Sequence, residues 1–117
     1  MTAPDVIPEN EWRWCGYPGH FVAARNCRFH LTTRVGDWLV STVGDYRPPG
    51  RDSEPQEIGV YRLYETYVFP AIDHGECHAG VMADAVEVDS EGYVDSFSAE
   101  RGHMEKCREV AQWGDAR

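Results

Sequence analysis

Helical periodicity is confined to the C-terminal end of this chain. There Met104, Cys107, Val110 and Ala111 form an apolar stripe at helical spacing, bordered by His103. Ser98 offers an N-cap, Glu100 puts an anion in the first turn, and Gly114 is a C′ stop. The spacing therefore predicts a helix over 99–113, weakened at Gly102. Everything before it is cut by Gly and Pro into short β-like segments. Residues 26–33 (NCRFHLTT) and 38–43 (WLVSTV) read as strands, and the turn Val35-Gly36-Asp37 makes them a hairpin that ends at Gly44. Residues 58–69 (IGVYRLYETYVF), stopped by Pro70, form the longest strand candidate, with both faces partly covered as in a central strand. Residues 81–88 are ambiguous between strand and irregular structure, and 12–21, 45–57, 73–80 and 89–97 read as turns and loops. The expected fold is α+β: an antiparallel sheet of about three to five strands with one C-terminal α-helix packed on it. Residues 1–11 are a flexible N-terminal arm, 12–114 a single domain and 115–117 a tail.

Charge narrows the partners. Residues 63–100 hold nine carboxylates and no Lys or Arg, and alone match the net charge of −9. Charge of this kind serves solubility by itself; the sharper reading is an anionic surface that meets a basic protein partner, whereas direct nucleic-acid binding needs clustered cations. No apolar run approaches the roughly 18–20 residues that span a bilayer, and the N-terminus has neither a basic start nor an apolar h-region. The expectation is a cytoplasmic protein without a membrane partner, whose four Cys serve as thiols or metal ligands rather than disulfides.

His103 and Cys107 stand one helical turn apart and face the core, so they can supply two corners of a tetrahedral zinc. Cys15, on a Gly-rich turn, and Cys27, at the entry to the first strand, are the candidates for the other two. A single structural Zn²⁺ held by Cys15, Cys27, His103 and Cys107 would tie an N-terminal turn to the C-terminal helix in a treble-clef-like arrangement, although no Cys-x-x-Cys knuckle is present. His20 and His30 are substitutes. A second cluster, His74, Cys77 and His78 beside Glu76, can replace a ligand or form a hydrolytic zinc site with Glu76 as base. The bland alternatives are a buried thiol beside a histidine, and a solvated acidic loop. The chain carries no G-x-S-x-G elbow, P-loop or dinucleotide fingerprint.

The phrases WCGYPGHF, CRFHL, VSTVGDY, YETYVF and EGY followed by AERGHMEKC resemble a group of small, functionally uncharacterised proteins encoded by bacteriophages and prophages. The resemblance covers 12–110 and implies an accessory protein acting in the cytoplasm of a bacterial host. It also implies a shared structural role for Cys15, His20, Cys27, His103 and Cys107. The expected function is an acidic interaction protein that binds a host protein with a basic surface. One version is an anti-CRISPR-like inhibitor of a defence complex, acting by nucleic-acid mimicry. The rival classes are a zinc-dependent hydrolase built on His74, Cys77 and His78, and a phage structural or assembly factor. The balance lies with a non-enzyme.

Overall fold

The computed structural model describes residues 6–14, 26–50, 54–58, 61–70 and 88–113. A 3-10 turn at Glu9–Glu11 leads into β1 (Trp12–Trp14), followed by β2 (Cys27–Val35), β3 (Trp38–Tyr46), β4 (Tyr64–Pro70), β5 (Asp89–Tyr93) and α1 (Ser96–Trp113). The strands lie in chain order in one five-stranded sheet, and every neighbouring pair is antiparallel. The α+β expectation, with a small antiparallel sheet and a C-terminal helix, holds. No helix among the described residues is long and apolar enough to cross a membrane.

The hairpin β2–β3 forms where the alternation predicts it. Its two-residue turn pairs Val35 with Trp38 and places Gly36 at φ 61, a left-handed conformation that glycine adopts without a Cβ clash. Both strands run further than the sequence reading allowed, to Val35 and Tyr46, because the ladder continues through Gly44. The third predicted strand begins only at Tyr64 and includes Pro70, its terminal residue. Two strands lie in stretches read as turn or loop. β1 is only Trp-Arg-Trp, and β5 is Asp-Ser-Glu-Gly-Tyr. Each sits at a sheet edge, so the ladder with its neighbour, rather than its own propensity, makes it a strand. Of the segment 81–88, residues 81–87 lie outside the described residues.

α1 starts at Ser96, earlier than expected. Asp95 takes the N-cap role assigned to Ser98: its Oδ1 accepts the Ser98 backbone N–H at 2.7 Å. Register puts Trp12, Trp14, Thr33, Val35, Val40, Thr42, Thr66, Val68, Asp89, Glu91 and Tyr93 on one face of the sheet. α1 covers it, with Cys107, Val110 and Ala111 packed against Val35, Val40 and Val68. Ile7 joins this core, and its N–H bonds the Ala111 carbonyl at 3.0 Å, so the end of the expected arm is tied down. On the opposite face Leu39, Ser41, Val43, Glu65 and Phe69 are buried too, which makes β3 and β4 the central strands.

Candidate functional site

His103 lies at the centre of the helix–sheet interface, wholly buried beneath the Trp14 ring, whose centroid is 6.0 Å away with planes 25° apart. Both of its nitrogens are engaged. Nδ1 is 2.7 Å from the Thr42 hydroxyl and Nε2 is 2.9 Å from the Thr33 hydroxyl. The Thr42 and Thr66 hydroxyls are 2.5 Å apart, and Tyr93 donates its O–H to Thr66 at 3.1 Å. Thr33 also hydrogen-bonds the Cys107 thiol. A hydroxyl has one hydrogen to give. With Tyr93 donating, the arrangement that gives every hydroxyl hydrogen in these contacts an acceptor runs one way: Thr66 donates to Thr42, and Thr42 donates to Nδ1. Nε2 then carries the imidazole hydrogen and donates it to Thr33, which donates to Cys107. One direction satisfies every buried polar atom along the path from β5 to α1.

Burial governs the titration of this network. It drives His103 down to about 4, leaving the ring neutral at pH 7. It pushes the Cys107 thiol up to about 12, opposed only in part by Thr33 and Arg108. Tyr93 is raised for the same reason.

These observations decide how the expected zinc ligands fit. Both His103 nitrogens face threonine hydroxyls, and the Cys107 thiol is packed beside Thr33. Cys27 stands six residues before Thr33 on β2. That is about 20 Å along a strand rising roughly 3.3 Å per residue. It belongs to a separate cluster with Val43, Tyr46 and Ile58, and burial, with Asp45 and Glu65 nearby, raises its thiol to about 11. Among the described residues no three His, Cys, Asp or Glu side chains gather as a metal site. The structure thus brings His103 and Cys107 together through Thr33 and leaves Cys27 apart. Among the described candidates, then, Cys27 does not share a site with His103 and Cys107. His30 turns its Nε2 to the Cys27 carbonyl at 2.7 Å. Cys15, His20, His74, Glu76, Cys77 and His78 lie outside the described residues.

Beside the network, β5 and α1 enclose an open groove of about 280 Å³ lined by Glu91, Tyr93, Gly102, Glu105, Lys106 and Glu109. Gly102 shapes it: a Cβ at this position would overlap the Tyr93 ring, so glycine lets the ring lie flat against the helix. Lys106, the chain's single lysine, reaches across from α1 with only 7% of its side chain exposed. Its ammonium contacts Asp89 at 2.7 Å, Glu109 at 2.5 Å and Glu91 at 3.7 Å. Burial pulls its pKa down, but the bonds from Asp89 and Glu109 outweigh burial and the net shift is upward. The hydrogen bond from Lys106 holds Asp89 below the usual carboxylate range. From Val88 to Trp113 six carboxylates face three cations, so the rim stays anionic with Lys106 in place.

Thr33, Thr42, Thr66, Tyr93 and Lys106 were not singled out from the sequence. Their signal is hydroxyl residues at core-facing positions of strong β segments, and one lysine among ten arginines. Comparison of the chain with protein-family models, curated proteins and solved structures finds no match.

Proposed function

We propose that this chain is an acidic interaction protein that docks a basic surface of a host protein against the β5–α1 groove. Its resemblance to phage- and prophage-encoded proteins makes a bacterial host protein the partner. An inhibitor that occupies a nucleic-acid groove of a defence complex is the concrete form of this reading. The observation that carries it is the Lys106 clamp. One inward-turned ammonium fixes Asp89 and Glu109, while Glu91, 3.7 Å from it, and Glu105, 3.9 Å from Arg101, stand exposed beside the Tyr93 ring. A rigid anionic rim with an aromatic floor suits an incoming Lys or Arg, which gains charge pairing and a cation–π contact together.

The test is capture from bacterial lysate on the immobilised full-length protein. The expected result is one basic, nucleic-acid-handling complex, retained at low salt, released as ionic strength rises, and lost with Glu105→Arg combined with Glu91→Gln. Retention that ignores both salt and those substitutions overturns the reading.

A further inference from the structure

Tyr61 holds φ 59, in the left-handed region that glycine occupies freely and a bulky L-residue rarely enters. A Glu57 carboxylate pins it there, accepting the Tyr61 backbone N–H at 2.8 Å. The ring gives the fold little in return, being 83% exposed, the most exposed of the large hydrophobic side chains described. A backbone geometry that favours glycine, joined to a side chain that buries almost nothing, means that folding does not explain a tyrosine at this position. Strain of this kind marks residues kept for what they do outside the fold.

Its location says what that is. Two residues on, the Leu63 N–H bonds the Tyr93 carbonyl at 3.0 Å, and the side chain of Arg62 lies against Gly92 of β5. The loop therefore adjoins the Tyr93 end of the acidic groove. Glu54 and Glu57 on the neighbouring segment are exposed, and against the single adjacent cation of Arg62 they leave the ring's surroundings with the same sign as the rim.

We infer that Tyr61 is the aromatic anchor of the partner-binding surface, entering an apolar pocket with a cationic rim on the protein that the groove receives. This rests on the acidic-surface reading above. Tyrosine suits the role because it brings a large area with little rotamer entropy and a hydroxyl for the pocket mouth.

Tyr61→Gly separates the anchor from a structural role. The full-length variant is expected to unfold at a higher urea concentration than the parent, because glycine relieves the strain at φ 59. In the lysate capture it should lose at least tenfold in retention of the basic complex. p-Benzoylphenylalanine at position 61 should crosslink to a subunit of that same complex. A lower unfolding midpoint overturns the inference, because the ring would then belong to the fold. Capture lost with Glu105→Arg but untouched by Tyr61→Gly overturns the anchor and leaves the acidic surface standing. Capture lost with Tyr61→Gly alone supports the anchor and removes the acidic rim as the determinant. A parent protein that retains nothing overturns both.

Discussion

Thr42→Val is the sharpest perturbation of the buried network. Valine matches threonine in shape, so packing at a fully buried position on β3 is preserved and only the hydroxyl goes. That hydroxyl sits between two partners, His103 Nδ1 at 2.7 Å and Thr66 Oγ1 at 2.5 Å. Its loss leaves Nδ1 an acceptor without a donor and Thr66 a donor without an acceptor, both in the dry core. Each such group costs about 1–3 kcal/mol, so the variant should lose roughly 2–6 kcal/mol, a large share of a domain stability of about 5–15 kcal/mol. Urea unfolding followed by far-UV circular dichroism and tryptophan fluorescence measures it. The reasoning also predicts an asymmetry. The triple variant Thr42→Val, Thr66→Val, His103→Leu removes donors and acceptor together and should be more stable than Thr42→Val alone. A single-variant cost under about 0.5 kcal/mol, or a triple variant weaker than the single, would falsify the one-way chain.

The remaining expectations follow from the same geometry. His103 has an ordinary pKa of 6.5 unfolded and about 4 folded, so the unfolded chain takes the proton first and stability falls as pH drops between those values. At about 1.4 kcal/mol per unit the loss is roughly 3 kcal/mol, and a stability–pH curve that is flat over this interval contradicts the neutral buried ring. Asp89 adds a further loss at lower pH, below its ordinary 3.8, as its depressed carboxyl takes a proton. Lys106→Arg should cost about 1–2 kcal/mol in thermal or urea unfolding, because a planar guanidinium cannot spread its donors over Asp89, Glu91 and Glu109 as an ammonium does. Gly102→Ala, ordinarily worth up to about 1 kcal/mol of helix stability, should instead destabilise by pushing Tyr93 off Thr66, and a rise in melting temperature would sink that account. Treatment with EDTA should leave the melting temperature unchanged, since His103 and Cys107 are already partnered by threonine hydroxyls.

The sequence was most legible where local chemistry and tertiary context agree. The β2–β3 hairpin follows from alternation around Gly36, and α1 follows from the stripe containing Cys107 and Val110. β5 was hidden because Asp-Ser-Glu-Gly-Tyr has a loop's composition. It is a strand through its ladder with β4 and through Lys106, which reaches from α1 to bond Asp89. The helix start was displaced because Asp95 and Ser98 are both good caps, and only the fold chooses between them. The spacing of His103 and Cys107 correctly put both against the core. What His103 meets there is Thr33, on a strand 70 residues earlier, which a local motif cannot see.

The Lys106 clamp bears on how this molecule responds to amine chemistry. Its ε-amino group is shielded and held protonated, the form that does not attack acyl donors. Succinimidyl esters and acetylating agents should therefore spare it while the chain is folded, and react only once α1 lifts from β5. Mass-resolved acylation at this one position would then act as a chemical clock for the opening of the helix.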